Sequence, residues 1–246
     1  MKKIILVILM IVYVQAVEIP KFKIMTENYP PLNMEDKDGN LAGIGVEVFD
    51  ELLKRVGSSQ TKQDFELMPW SRAYNIVQKK KNSVLFSTSR TKEREPLFKW
   101  VGPFGYNING LIARKDSNIK INSLKDLEKY QIGTVLNDVG ELMLLNKGIS
   151  KENLQSVSGK NAILKSIRKL DAKRIDMFSY SIDVAKWAMK ANNISFYDYE
   201  VVYVLQKLGH YFTFHKDTSD EVVAAFQNAL NEMHKDGTLE KIVKKY

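Results

Sequence analysis

The chain has 246 residues, no Cys, three His and a net charge of +8. The lack of Cys excludes disulfides, thiolate chemistry and lipid attachment at an N-terminal Cys, and three His alone make no obvious metal cluster. The Lys residues are scattered rather than striped, which argues against a nucleic-acid surface, and no phosphate loop, dinucleotide fingerprint or Gly-x-Ser-x-Gly turn is present, so no cofactor is implied.

Met1-Lys2-Lys3 is a positive start, Ile4 to Val14 is an apolar run, and Val14-Gln15-Ala16 offers small residues at a cleavage site. This is the pattern of an export leader over 1–16, and the run is short for a membrane span of about 20 residues. A retained anchor is the alternative. Without residues 1–16, which hold two Lys and no acid, the charge falls from +8 to +6.

Downstream, strand-like runs alternate with helical ones. "KFKIMTE" (21–27) reads as a strand, Pro30-Pro31 as a corner and "DKDGN" (36–40) as a turn. "GVEVFDELLKRVG" spaces Val46, Phe49, Leu52, Leu53 and Val56 for a helix closed by Gly57. "DFELMPW" reads as a strand, "SRAYNIVQKK" as a helix capped by Ser71, and "SVLFSTS" as a strand. The second half repeats this grammar through "SLKDLEKY", "QIGTVLN", "DVGELMLLNKG", "NAILKSIRKLDAKR", "IDMFSYS", "DVAKWAMKA" and "YFTFH". A long C-terminal helix follows, with Thr218 and Glu221 as a capping box and Gly237 as its stop. Such alternation predicts α/β units with largely parallel sheets, and no loose linker separates them.

One stretch carries more chemistry than its neighbours. "STSRTKERE" gathers Ser87, Thr88, Ser89 and Thr91 around Arg90 and Arg94 at a strand exit. This is either a solvated charge cluster or an anion site, where hydroxyls and a guanidinium meet a carboxylate or phosphate.

Five segments, in order, decide how these residues are read. "TENYPPLNMEDKDGNLAGIGVEVFDELLKRVG", "STSRTKERE…FKWVGP", "DLEKYQIGTVLNDVGE", "AKRIDMFSYS" and "YFTFHKDTSDEVVAAFQNALNEMHKDGTLEKIVKKY" span nearly all of the chain after residue 16. Together they resemble the periplasmic solute-binding proteins of ABC transporters, polar amino-acid-binding type. The resemblance implies an α/β fold of type II, a two-lobed clamshell whose lobes are joined by two crossing strands. Lobe one would hold 17–107 plus 210–246 and lobe two 108–209, with crossings near "YNINGL" and "LQKLGHY".

The resemblance also implies a site. Thr91-Lys92-Glu93-Arg94 matches the turn whose Arg grips a ligand carboxylate, with Ser89 beside it. Arg90 either reaches the ligand or pairs with Glu93 or Glu95. Tyr29 matches an aromatic packed on the ligand, or is a core or lid ring. Trp70 and Arg72 in "PWSRA" depart from the commonest pattern and suit a flat or second anionic group, unless Trp70 is plain core. Glu27 is placed to accept an ammonium or to neutralise Arg72 or Arg94. On lobe two, the backbone N–H groups of Asn137, Asp138, Val139 and Gly140 would meet a carboxylate at a helix start. Tyr180 and Ser181 stand where many amino-acid binders have an Asp for the ligand ammonium, and Asp183 lies two residues on. Either Glu27 takes that role or the ligand is not a standard α-amino acid.

The function implied is capture of a small carboxylate-bearing molecule, an amino acid or a relative, and delivery to a membrane permease. The protein would be a periplasmic monomer without a lipid anchor or metal. Two rivals share the fold: a dehydratase-like enzyme using Glu27 as general acid or base, and a ligand-sensing module.

Overall fold

The structure is a computed structural model and describes residues 17–246, so the leader expected over 1–16 lies outside the described residues. The described residues form ten strands: β1 (Lys23–Thr26), β2 (Met34–Glu35), β3 (Leu41–Ala42), β4 (Phe65–Leu67), β5 (Ser83–Ser89), β6 (Phe98–Arg114), β7 (Ile132–Val135), β8 (Leu154–Val157), β9 (Met177–Ser181) and β10 (Tyr199–His215). The α-helices are α1 (Ile44–Arg55), α2 (Trp70–Lys79), α3 (Val139–Asn146), α4 (Ala162–Asp171), α5 (Ile182–Ala191), α6 (Asp220–Lys235) and α7 (Thr238–Val243).

Eight strands hydrogen-bond in the order β4-β1-β5-β10-β6-β9-β7-β8, while β2 and β3 form a separate hairpin. The outer trios β4-β1-β5 and β9-β7-β8 are parallel, as right-handed β-α-β units require. The central strands β6 and β10 run antiparallel to each other for most of 17 residues each and join both trios. Their pairing shifts register between Val201 and Tyr203, Val204 and Gln206, and His210 and Phe212. Such irregularities raise local twist, and here they bracket the place where the strands pass from one half to the other.

Each half buries its own apolar face. In the first, α1 turns Val46, Phe49 and Leu52 inward, and Phe49 stacks at 5.6 Å on Phe226 of α6 and at 5.7 Å on Phe86 of β5. The C-terminal helix therefore closes the first half, and truncating Phe49 to Ala would cost about 3–5 kcal/mol. In the second, Ile132, Leu144 and Met177 form a compact cluster with Leu111 and Leu127.

Several local expectations are corrected. Helix α2 starts at Trp70 behind Pro69, so Ser71 is already inside the first turn and caps nothing. Proline fixes φ and lets the helix begin one residue earlier. Helix α6 is capped by Ser219, whose hydroxyl accepts from the Val222 amide at 3.4 Å, and the hydroxyl of Thr218 is buried without a partner. "SLKDLEKY" forms a 3₁₀ helix rather than an α-helix. Gly237 has φ +78, as its helix-stopping role requires.

Candidate functional site

The strand ends of the two halves face each other across β6 and β10, where open α/β sheets place their ligands. Arg94 lies in the turn after β5, held by that turn's own backbone. The Thr91 hydroxyl accepts from the Arg94 amide at 3.4 Å, and the Thr91 carbonyl accepts from the Glu95 amide at 2.9 Å. Arg94 as a whole is 1 % exposed, and its Nη1 donates to the Ser89 carbonyl at 3.2 Å. It sits 5.2 Å from the Trp70 ring and 5.1 Å from that of Tyr74.

From the second half, the Asn137 carbonyl accepts from Arg94 Nη2 and from Trp70 Nε1, each at 2.9 Å. The two halves are thus in direct contact through one backbone oxygen. Asn137 holds the left-handed conformation, φ +61, which Asn tolerates better than most residues. Its amide donates to Glu141 Oε2 at 2.6 Å, while Glu141 Oε1 accepts from the hydroxyls of Thr134 and Ser156. Glu141 therefore braces the loop that meets Arg94.

Around this contact stand Glu27, Asp138, Tyr29, Tyr180 and His210. Burial lifts the Glu27 carboxyl well above the carboxylate range; Asp138 nearby adds to the rise and Arg94 opposes it. Asp138 is also raised, by burial first, against the pull of Arg94 and of the Val139 and Gly140 amides. Asn107 Nδ2 donates to the Tyr29 hydroxyl at 3.0 Å, and the Tyr29 ring lies 5.5 Å from Tyr180 and 5.8 Å from His210. Burial holds the His210 imidazole down at about 4, so it is neutral at physiological pH.

Unmet polar atoms concentrate here. Arg94 Nε, Asn107 Oδ1, both side-chain polar atoms of Asn109, the hydroxyls of Thr26, Ser179 and Ser181, and His210 Nδ1 are buried without a hydrogen-bond partner. Among the described residues the only other such atom is the Thr218 hydroxyl. Native interiors pair nearly all buried polar groups with protein or ordered water, so this cluster marks where water or a bound molecule is held. No metal-holding group of His and acidic side chains occurs among the described residues, and no described helix is long and apolar enough to cross a membrane.

The model for bacterial extracellular solute-binding proteins, family 3, matches residues 23–246. The chain belongs to that family. Similar proteins include the L-cystine-binding protein TcyA of Bacillus subtilis, 27% identical over 224 residues, covering 89% of this chain and 77% of the relative. The arginine-binding extracellular protein ArtP of Bacillus subtilis is 26% identical over 223 residues, covering 89% of this chain and 82% of the relative. Among solved structures, a putative L-cystine ABC transporter protein from Listeria monocytogenes matches with TM-score 0.78 and 25% identity, over 93% of this chain and 96% of that one. A histidine kinase sensor domain similar to periplasmic binding proteins matches with TM-score 0.80 and 19% identity, over 92% of this chain and 95% of its own, which speaks for the shared fold alone.

The structure brings together Arg94, Ser89, Trp70, Glu27, Tyr29, Asn137, Asp138, Gly140, Tyr180 and Ser181, while Val139 points into the hydrophobic core. It engages Arg90 elsewhere and leaves Arg72 exposed. Arg90 forms a two-pronged pair with Glu95 and lies over Trp100 and Tyr211, because that acid and those rings sit on the outer side of the turn. Arg72 is exposed on α2 and lines a groove of about 800 Å³ with Lys79, Lys80 and, from the second half, Leu136. The backbone role expected for the Asn137 and Asp138 amides is corrected too. The Asn137 amide serves Glu141, the Asp138 amide donates to the Val135 carbonyl at 2.9 Å, and Asn137 offers a carbonyl instead. A Cβ on Gly140 would collide with the Ser179 hydroxyl, so glycine lets α3 start against β9.

Sequence reasoning missed Tyr74, Asn107, Asn109, Glu141, Ser179 and His210. A signal existed for the Asn pair: "NIN" puts two amides on one face of a strand, an arrangement that a plain core strand avoids.

Proposed function

We propose that the protein captures a small carboxylate-bearing molecule, an amino acid or a close relative, between two lobes and presents it to an ABC transporter permease. The single observation that carries this reading is Arg94. It is a buried guanidinium with Nε unpartnered and, among the described residues, no carboxylate within 4.0 Å, set against the rings of Trp70 and Tyr74 at the meeting of the two halves. A buried charge without a counter-ion is costly, and a bidentate carboxylate removes that cost.

Lobe one comprises 17–107 and 210–246 and lobe two 108–209, with the junctions inside β6 and β10. Arg94, Ser89, Trp70, Tyr29 and Glu27 hold the ligand from lobe one, and Asn137, Asp138, Gly140, Tyr180 and Ser181 close on it from lobe two. The molecule leaves unchanged, so the activity is binding and not catalysis. Residues 1–16 direct export, and the protein works as an unanchored periplasmic monomer.

A thermal-shift screen over amino acids and small carboxylates tests the reading. A ligand present at 100 times its dissociation constant stabilises the protein by about 2.7 kcal/mol. Small-angle scattering should show compaction with that ligand, and mass spectrometry should recover it intact. Chemical conversion of the ligand would show an enzyme instead, and no response to any compound would end the proposal.

A further inference from the structure

The groove beside Arg72 belongs to neither half alone. One wall is the exposed face of α2, where Arg72, Ile76 and Lys80 follow at four-residue spacing with Lys79 alongside. The other wall is Leu136 of the second half, 41 % exposed. Lys23 joins the lining already paired with Glu66, and no acidic side chain lines the groove. Among the described residues, Arg72, Lys79 and Lys80 have no carboxylate within 4.0 Å. Helix α1 also ends in two cations, Lys54 and Arg55, but there Asp50, Glu51 and Asp236 answer them.

Cations at a helix end complement the macrodipole, which accounts for Lys79 and Lys80. Arg72 is a different case. It stands in the first turn, where a cation is disfavoured and where α2 carries no acid. The wall opposite depends on closure. Leu136 directly precedes Asn137, whose carbonyl accepts from Arg94 and Trp70, so the contact that joins the halves also sets Leu136 against α2. Whatever fills the groove touches both halves and favours the arrangement in which they meet.

We infer that this groove docks an extended acidic segment of a protein partner, with an apolar side chain against Ile76 and Leu136 and carboxylates on Arg72, Lys79 and Lys80. From Arg72 to Lys80 the helix rises about 12 Å, the reach of about four residues of extended chain. A lipid headgroup would answer the cations alone, whereas a chain segment also covers the two apolar side chains, as the centre of an interface requires. By linkage, the docked segment and a ligand that favours closure raise each other's affinity by the same factor.

The inference rests on the reading of the protein as one that presents its ligand to a membrane partner, and the experiment keeps the two apart. The probe is a fluorescein-labelled peptide, acetyl-Asp-Glu-Leu-Glu-Asp, titrated with the protein at low ionic strength and read by anisotropy. One control peptide carries Asn and Gln for the acids, and another carries Gly for Leu. The probe should bind at least tenfold tighter than the first control and at least threefold tighter than the second. The combined variant Arg72→Ser, Lys79→Ser, Lys80→Ser should weaken it at least tenfold, and Leu136→Ser at least threefold although no charge is lost. All four side chains are exposed, so melting temperature and the thermal response to amino acids should match wild type. Equal binding of probe and Gly peptide, or an unchanged affinity in Leu136→Ser, would reduce the groove to simple charge attraction and overturn the inference. Tighter binding of phosphatidylglycerol vesicles, lost in the combined variant, would overturn it in favour of a membrane lipid. No binding of the probe, while an amino acid still stabilises the protein, would overturn the docking site and leave the capture reading standing.

Discussion

On the β5 side of the cleft, long side chains reach across. Arg94, Trp70 and Tyr74 extend from a turn and a helix, each locked by packing against the others. On the α3 side, the meeting atom is a backbone oxygen, that of Asn137, whose position depends on Glu141 one turn into the helix. The first wall is chemically specific and can be altered residue by residue. The second is made of a conformation, so its integrity rests on a brace that never reaches the opposite wall.

If that contrast is right, Arg94→Ala should have the largest effect on binding. For any amino acid found to bind, affinity should drop roughly 1,000-fold, about 4 kcal/mol, the range for truncating one member of a buried charge pair. Arg94→Lys should recover little, because an ammonium cannot reproduce the fork. Retained affinity in Arg94→Ala, measured by calorimetry with an intact fold, would break the comparison at its centre.

Next comes His210, between the walls at the crossing. Its folded pKa of about 4 lies below the free value near 6.5, so the unfolded chain takes up a proton first as pH falls. Its contribution is complete above pH 6.5 and is lost between there and pH 4, a swing of about 3 kcal/mol. The raised acids Glu27 and Asp138 act with the opposite sign, so the quantity to measure is wild-type stability minus that of His210→Gln in urea titrations. A difference that stays constant with pH would place a charged His210 in the fold.

Glu141→Ala tests the brace. It leaves the Asn137 amide and two hydroxyls without their acceptor, at a cost of about 2 kcal/mol of stability. Affinity should fall with it although Glu141 lies one turn behind the meeting atom. Loss of stability with full affinity would show that the loop needs no support.

Smaller effects sharpen the picture. Trp70→Phe removes the hydrogen bond to Asn137 and should cost about 1 kcal/mol of closure, read as a more expanded ligand-free envelope in scattering. Arg90→Ala should change affinity less than twofold, since its pair with Glu95 is a surface one. A larger loss there would return Arg90 to the cleft.

These two arginines show how far sequence reading extends. Arg94 and Arg90 stand four residues apart in one turn, with similar neighbours and the same charge. Thr91-x-x-Arg94 could be recognised as a motif, because its hydroxyl and amide act locally. Which guanidinium turns inward depends on the local Glu95 and Trp100, and on Trp70 and Tyr74 from α2 and Tyr211 from β10, which only folding brings to the turn. Glu141 was equally hidden, since an acid in the first turn of a helix is ordinary until Thr134 and Ser156 are brought beside it.

By itself, the sequence determined the alternation of strands and helices, the α/β class, the apolar faces of α1 and α6 and the turn that bears Arg94. Each of these follows from periodicities and hydrogen bonds within a few residues. Only the tertiary structure decided that β6 and β10 run 17 residues each, since Gly105, Asn107, Asn109 and Gly110 of β6 are held by pairing with β10 while Gly102 and Pro103 fall where that pairing is interrupted. It also decided which acids share the cleft with Arg94, and where the polar atoms of Asn107, Asn109 and Ser181 are left unmet. The physical reason is range: burial and charge compensation are summed over residues about 45 to 110 positions apart, such as Arg94, Asn137 and Glu27 with Asp138, and no local pattern encodes that sum.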